Sequence, residues 1–356
     1  MGQISVLQAR GLFLDAFVAI YKERSFTTSF LRSFFSNKES NTKLLSIAVK
    51  RGTEKIAVDV QRGTEGNRNS MSISSLKKFK PPYYREYFDA TELDFYDTLW
   101  NSEGTVDAVT FNQWLNDIVE KIAELQDMIE RSYEVQCKHI LETGIVPLIN
   151  EDNIDFKRKA GSLVANTAGN TWLTDTVSPY VSLEAGANFI RTEGKASGDI
   201  FNVIMGSTAY NHFLGNAIVK SRADNRKITL DEIRMPQRNS TGGTLHGQVS
   251  AGSYKFNLWT YPQFYDTSSF DHNPYIDPKK IIILPESPNF VLGFAAVPRL
   301  MGKKSDVGAG IGSEKGAFSI GEYLDERNSA HIIDIKSAGV AIPVAVDMIY
   351  TEQVVA

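Results

Sequence analysis

The longest stretch with a regular hydrophobic pattern runs from Thr110 to Gly144. Thr110, with Gln113 three residues later, fits a capping box, and Gly144 followed by Pro147 fits a helix end. The pattern predicts one helix over residues 111–143, about 50 Å long at ~1.5 Å per residue. Its apolar residues recur at steps of three and four and share one face, namely Phe111, Trp114, Leu115, Ile118, Ile122, Leu125, Ile129 and Tyr133.

One alternative for this helix is half of a coiled coil, which would need a strict seven-residue repeat. The apolar positions instead drift as on a straight helix, and the chain that follows has strand-like patterns. A long helix lying across a sheet therefore fits better. Three acid–base pairs at four-residue spacing are expected to support it, namely Asp117 with Lys121, Asp127 with Arg131 and Glu134 with Lys138. We interpret the single cysteine, Cys137, as a small packed hydrophobe on the same helix.

Residues 43 to about 88 have the pattern of a long β-hairpin. Leu45, Ile47 and Val49, then Ile56, Val58 and Val60, alternate with polar residues as half-buried strands do. The run from Gln61 to Ser70 is polar and contains glycine, as expected of a hairpin tip. An isolated two-stranded hairpin is marginally stable in water. We therefore expect this arm to lie against another surface.

Charge divides this region into a basic arm and an acidic shoulder. Basic residues outnumber acidic ones from Lys43 to Arg85, whereas Glu86 to Asp107 contains seven acids and no lysine or arginine. In many identical copies, such surfaces are complementary head to tail. Solvated surface charge is the alternative explanation. The candidate intersubunit residues are Lys50, Arg51, Lys55, Arg62, Arg68, Asn69, Lys77, Lys78, Glu86, Asp89, Glu92, Asp94 and Asp97.

Elsewhere the chain mixes helical and strand-like patterns. The spacing predicts helices from Tyr180 to Arg191 and from Ser207 to Lys220, strands within Thr244 to Leu284, and a final return to strand after His331. Pro343 suggests an edge strand, and residues 302–321 are glycine-rich and predicted to be a mobile loop. Four phenylalanines near the N-terminus are expected to pack either on a partner surface or on the protein's own body, and the sequence favours neither; they are Phe26, Phe30, Phe34 and Phe35.

Composition excludes several classes of protein. The 356 residues carry a formal net charge of −4, which gives no general affinity for nucleic acid. The lone cysteine cannot form an internal disulfide, as expected in a reducing cytoplasm. Polar residues interrupt every apolar run at the N-terminus before it reaches the length of a signal peptide, and no later segment is apolar enough to span a membrane.

No convincing catalytic chemistry is present in the sequence. The five histidines are scattered without zinc spacing, and the glycine-rich segment from Gly308 to Gly316 lacks the spacing of a phosphate-binding loop. We predict no catalytic, cofactor-binding or metal residues and expect that the protein is not an enzyme. The rival from a different class is a carbohydrate-binding protein or enzyme that uses Trp259, Tyr261 and Tyr265 for stacking, although such residues are more often core.

The second half of the chain resembles the major capsid protein E family of lambda-like tailed phages. The aromatic strand from Tyr254 to Asp266 and the segment from Asn273 to Pro285, which ends in an apolar strand and Leu-Pro, are similar to that family's patterns. Asn202 to Gly206, Trp172 and Gly339 to Pro343 resemble further positions. The resemblance covers most of the chain from about Leu45 onward, and its motifs are aromatic and not catalytic.

This resemblance implies an α+β protein with the HK97-type capsid fold. It implies an N-terminal arm (1–42), an extended E-loop hairpin (43–88), a peripheral domain (89–165) with a spine helix at 111–143, an axial domain (166–325) and return strands (326–356). The expected function is the major capsid protein of a tailed bacteriophage, with an encapsulin-type compartment shell as the alternative within the fold.

The resemblance also implies the partners and the place of assembly. The chain would assemble with itself into hexamers and pentamers that enclose double-stranded DNA without sequence-specific contact. Because the sequence begins at Met1 without a long helical extension, a separate scaffold protein is expected. A portal and a decoration protein are further expected partners, and assembly would occur in the host cytoplasm to give a virion component.

Overall fold

A computed structural model describes residues 29–49, 75–91, 108–148, 153–166, 171–174, 176–223, 231–267, 271–301, 310–314, 317–325 and 330–355. The α-helices are α1 (Ala108–Glu142), α2 (Pro179–Thr192), α3 (Ser207–Gly215) and α4 (Ala217–Ala223). Short 3-10 helices are η1 (Arg32–Phe34), η2 (Ala160–Ser162) and η3 (Val346–Met348). The helices are interspersed with many short strands, so the predicted α+β class is confirmed.

The strands of the first half are β1 (Phe35–Glu39), β2 (Leu45–Val49), β3 (Ser75–Phe79), β4 (Tyr84–Thr91), β5 (Ile145–Val146), β6 (Ile154–Asp155), β7 (Leu163–Ala165) and β8 (Ile200–Met205). Those of the second half are β9 (Asp231–Arg238), β10 (Thr244–Ala251), β11 (Tyr254–Thr260), β12 (Phe264–Asp266), β13 (His272–Pro274), β14 (Lys280–Pro285), β15 (Phe290–Phe294), β16 (Val297–Met301), β17 (Gly310–Glu314), β18 (Ser319–Asp325), β19 (Ala330–Ser337), β20 (Gly339–Pro343) and β21 (Tyr350–Gln353).

The largest sheet has seven strands in the order β7-β21-β14-β8-β11-β10-β9. Strand β14, which lies between β21 and β8, is buried on both faces: Ile281 and Ile283 pack in the cluster that contains α2 and α3, whereas Ile282 and Leu284 pack in the cluster that contains α1. Burial on both faces explains why β14 is a continuous apolar run and does not alternate. Two three-stranded sheets, β1-β15-β20 and β18-β19-β4, complete the main body.

The predicted long helix is confirmed as α1, with small differences at its start. Ile118, Ile122, Ile129 and Tyr133 are buried as the periodicity requires, and Gly144 ends the helix with a φ of +77°. The capping role predicted for Thr110 is wrong, because the helix already begins at Ala108. Cys137 is fully buried, as predicted.

The predicted ion pair between Glu134 and Lys138 is wrong. The Glu134 carboxylate accepts hydrogen bonds from the backbone N–H groups of Leu31 and Arg32. Lys138 donates to the Pro274 carbonyl oxygen over 2.8 Å. The N-terminal segment lies over this part of α1, so Glu134 is in the interior and not on the solvent side. Lys121, predicted to pair with Asp117, instead contacts Glu124 at 2.9 Å.

The aromatic residues near the N-terminus pack on the body of the protein. Phe30 lies 5.3 Å from the Trp259 ring and 5.4 Å from the Tyr261 ring, measured between centroids. Phe35 contacts Phe290 across the parallel pair formed by β1 and β15. Of the two explanations left open for these residues, packing on the protein's own body is confirmed for Phe30 and Phe35, while Phe26 lies outside the described residues.

Two other predictions from the sequence need correction. The helix predicted from Ser207 to Lys220 is broken at Asn216, whose backbone is extended and whose side-chain oxygen accepts from the Ile218 N–H over 3.0 Å. Such local capping by asparagine favours a helix start. The loop predicted for residues 302–321 contains β17, which pairs with β16, while residues 302–309 lie outside the described part. Pro343 does lie in the edge strand β20, as predicted.

Arg158 joins the end of α1 to the seven-stranded sheet. Its Nη1 donates to the Leu141 carbonyl oxygen at 2.9 Å, and its Nη2 donates to the carbonyl oxygens of Ser162 at 2.9 Å and Ile349 at 3.0 Å. The Thr351 hydroxyl also accepts from both terminal nitrogens. Burial lowers the pKa of Arg158 to about 9. The guanidinium thus donates at one point to carbonyl groups of α1, of η2 and of Ile349 between η3 and β21, and to a hydroxyl of β21.

Gly206, between β8 and α3, allows two backbones to approach closely. A Cβ at this position would lie 2.5 Å from the Pro278 carbonyl oxygen and closer still to the Asp277 carbonyl oxygen. Those carbonyls belong to the turn that enters β14 and have little freedom to move, because the Gly206 N–H donates to the Lys280 carbonyl oxygen over 2.9 Å.

We predict that Gly206→Ala destabilises the protein by at least ~2–3 kcal/mol through this overlap. Gly198→Ala is the matched control, because a Cβ at Gly198 would meet no atom within 4 Å. Urea denaturation of the two variants and the parent measures the difference. Equal midpoints for the two alanine variants would contradict the proposed steric role of Gly206.

Candidate assembly surfaces

The base of the predicted arm is an antiparallel pair of strands anchored in the core. Residues of β2 and β3 pair from Leu45 with Phe79 to Val49 with Ser75. Leu45 is buried against Gly293, where a Cβ would lie 2.8 Å from the Leu45 Cδ1 atom. The hairpin thus emerges from the core of the subunit.

Most of the basic candidate residues lie outside the described part of the chain. These are Lys50, Arg51, Lys55, Arg62, Arg68 and Asn69. Lys77 and Lys78 lie on β3, opposite Ile47 and Ser46 of β2.

Of the acidic shoulder, the structure describes only its first residues. Glu86 and Asp89 lie on β4, and Glu92, Asp94 and Asp97 lie outside the described residues. Glu86 is on the same face of β4 as Phe88, which packs against α1, and is half-buried. Asp89 is on the opposite, exposed face. The structure therefore does not bring Glu86 and Asp89 together.

A second acidic surface was not identified from the sequence. Asp117, Glu120 and Glu124 are exposed on α1, and their spacing of three and four residues places them on one face with the half-buried Asp127. The spacing was visible in the sequence, but Asp117 and Asp127 were assigned to ion pairs within the helix and the face was not recognised. Together with Asp89, they provide described acidic surface to which a basic arm could bind.

The outer face of the β18-β19-β4 sheet carries a cluster of charged residues. The Asp334 side chain is fully buried and contacts Arg85 at 2.7 Å and Lys336 at 2.8 Å. A Cβ at Gly321, on the neighbouring strand, would overlap with the Asp334 carboxylate, so glycine is needed there. Arg85 is thereby fixed beside Tyr87, which is 59% exposed. Arginine and tyrosine are enriched in protein interfaces.

The aromatic residues considered for carbohydrate stacking are largely part of the core. Tyr261 is buried, and Trp259 donates through its indole N–H to the Asn202 side-chain oxygen over 3.2 Å. Tyr265 packs on Tyr275 with 5.1 Å between ring centroids. Their faces are covered by the protein itself, so this alternative loses its structural basis.

The described residues contain no group of three or more histidine, cysteine or acidic side chains that could hold a metal ion. Within the same residues, no helix is both long enough and apolar enough to cross a membrane. The glycine-rich segment examined for phosphate binding contributes β17 to a two-stranded sheet. The exposed features of the described surface are therefore strands, a hairpin base and charged patches.

Comparison with known proteins agrees with this architecture. Residues 18–349 match the family model of phage major capsid protein E. No curated protein matches the chain.

A crystal structure described as the capsid protein of a prophage of Escherichia coli CFT073 is similar with a TM-score of 0.60 and 13% identity, covering 92% of this chain and 94% of the other. A phage-related protein from Bordetella bronchiseptica RB50 gives a TM-score of 0.49 and 9% identity, with 93% of each chain covered. The SrpI encapsulin of Synechococcus elongatus PCC 7942 gives a TM-score of 0.43 and 11% identity, with 95% of each chain covered.

Proposed function

Because the chain belongs to the phage major capsid protein E family, we propose that its copies join into hexamers and pentamers that close into the icosahedral head of a tailed phage. The protein is a structural component of the virion and not an enzyme. The observation that carries the proposal is the family match over residues 18–349 on a fold shared with a prophage capsid protein. In this proposal the shell assembles in the host cytoplasm and encloses double-stranded DNA without sequence-specific contact.

The intersubunit contact that we propose is made by the basic arm. Its root strands leave the core at Leu45, and its residues Arg62 and Arg68 would meet acidic residues of a neighbouring subunit. Asp89, in the predicted acidic stretch from Glu86 to Asp107, lies on the exposed face of β4, and the acidic face of α1 is a second surface of suitable charge. A single exposed ion pair contributes only ~0–1 kcal/mol. Repeated in every subunit, contacts of this strength would still allow misplaced subunits to dissociate.

The division into domains is part of the same proposal. Residues 1–42 would form the N-terminal arm, 43–88 the E-loop, 89–165 the peripheral domain, 166–325 the axial domain and 326–356 the return strands. The peripheral domain would be organised around α1. A separate scaffold protein, a portal and a decoration protein are the further partners that we propose.

Sedimentation velocity of the chain co-expressed with its neighbouring phage genes tests the proposal. We expect a fast component containing many copies of the chain, with little material at the mass of one subunit. Dissociated protein that is reassembled at increasing concentration should form particles only above a threshold protein concentration, as expected of closed shells. A uniformly monomeric product under all these conditions would contradict the proposed function.

A further inference from the structure

One buried carboxylate hydrogen-bonds the N-terminal segment to α1, in addition to the packing of Phe30 and Leu31 in the core. Glu134 accepts from the Leu31 N–H over 2.7 Å through Oε1 and from the Arg32 N–H over 2.9 Å through Oε2. These are backbone donors at the start of η1, which has no side-chain cap of its own. The Tyr261 hydroxyl is a third hydrogen-bond partner of the carboxylate. Glu134 therefore determines where the chain preceding η1 joins the body of the protein.

The surroundings of this carboxylate are unfavourable for its charge. Glu134 is only 1% exposed, and its hydrogen-bond partners are two amides and a phenol, all of them neutral. Arg32 lies nearby, but its guanidinium contacts Glu130 at 3.5 Å. Burial of a carboxylate without a bonded cation favours the neutral acid. The Tyr261 hydroxyl suits both states, because it can donate to the carboxylate or accept from the protonated acid.

Other titratable groups near Glu134 are few among the described residues. On α1 these are Cys137, which is buried, and Glu130, whose carboxylate contacts Arg32. From the elements packed against α1, the facing groups are Arg32, Tyr261 and Tyr275. Lys138 is directed to Pro274 and Tyr265. Burial, opposed by the three hydrogen bonds and by Arg32, raises the pKa of Glu134 to about 7.

We propose that Glu134 is a proton-operated clamp: it holds the turn at Leu31–Phe34 on α1 most tightly while it is neutral, and local release of this turn becomes more frequent as Glu134 ionises. The direction of the pH dependence follows from linkage. A carboxyl whose pKa is higher in the clamped state than in the released state binds its proton more tightly when clamped, so protonation favours the clamped state. Release therefore increases as the pH rises from the usual range of a glutamate to about 7, and it levels off above that. The clamp is a property of the single subunit and does not rest on the proposed function.

Hydrogen exchange of the unassembled subunit, followed by mass spectrometry, tests the clamp independently of shell formation. After correction for the intrinsic rate, protection of a peptide covering residues 29–34 should fall about ten-fold per pH unit between about pH 5 and 7, as expected for release of one proton. Above pH 7 it should be constant. A flat profile of the parent protein across this range would overturn the proposal.

Two variants distinguish Glu134 from other acids. Glu134→Gln removes the titrating proton, so protection of residues 29–34 should no longer depend on pH, whatever its absolute level. Glu124→Gln, at an exposed position of the same helix, should retain the profile of the parent. A Glu134→Gln profile with the parent's slope would overturn the assignment to Glu134. If Glu134→Gln fails to fold, a flat profile of the parent protein would still overturn the proposal.

Discussion

Deleting residues Gly63 to Ser70 is expected to leave the subunit folded and to abolish or strongly weaken shell formation. The deletion removes the predicted tip of the arm, whereas the strands at its base are anchored through Leu45. Circular dichroism reports the fold, and sedimentation reports the fraction of protein in particles. Normal particle yield and stability after the deletion would contradict the role of the arm.

A charge-reversed variant separates the charge of the arm from its length. Arg62→Glu combined with Arg68→Glu should raise the subunit concentration needed for assembly, because both residues would then repel an acidic neighbour. The matched control reverses two exposed lysines outside the arm, Lys220→Glu and Lys255→Glu. An equal change in both double variants would show that net charge, and not the arm, controls assembly. An unfolded tip deletion would show instead that the arm belongs to the core.

Arg158→Ala is expected to reduce the free energy of unfolding by about 3–5 kcal/mol. The change would remove one donor each from the carbonyl oxygens of Leu141, Ser162 and Ile349. The Leu141 oxygen would still accept from the Thr351 hydroxyl over 2.7 Å. An unsatisfied buried polar group costs roughly 1–3 kcal/mol. Burial of the charged guanidinium costs free energy, as its lowered pKa indicates. Because the variant avoids this cost, the expected loss is smaller than the sum of the penalties for the separate carbonyl groups.

Two further variants test the geometry of this contact. Arg158→Lys keeps a positive charge but replaces the planar fork with a single nitrogen, so most of the loss should remain. Arg131→Ala removes an exposed arginine from α1 and should change stability by less than ~0.5 kcal/mol. Thermal and urea unfolding measure all three variants. If Arg158→Lys were as stable as the parent, the multiple hydrogen bonds of the guanidinium would not be the cause.

The sequence predicted those elements whose signals are local. The period of α1, the glycine at its end and the strand at Leu45–Val49 were each confirmed, and their signals lie in neighbouring residues. The break at Asn216 was missed because its extended backbone depends on a tertiary contact, in which the side-chain amide donates to the Val177 carbonyl oxygen. The predicted start of α1, at residue 111, is later than the observed start at Ala108, because Thr110 fits the pattern of a helix cap.

The candidate assembly surfaces were less predictable than the fold. Charge runs identified a basic arm, but they could not show that Glu86 and Asp89 face opposite sides of β4. Glu134 was assigned to a surface ion pair because the helical pattern does not reveal that a segment more than a hundred residues away covers it. Asp334 and Gly321 become neighbours only through the pairing of β18 with β19. These features depend on long-range contacts that a single sequence does not encode locally.

The central claim is that identical copies of this chain close into an icosahedral shell. Cryo-electron microscopy of the particles formed on co-expression with the neighbouring phage genes tests it most directly. We expect closed shells of hexamers and pentamers in which the arm from residues 43–88 of each subunit lies over a neighbour. Discrete small oligomers without closed shells, or closed shells in which each arm folds back on its own subunit, would contradict it.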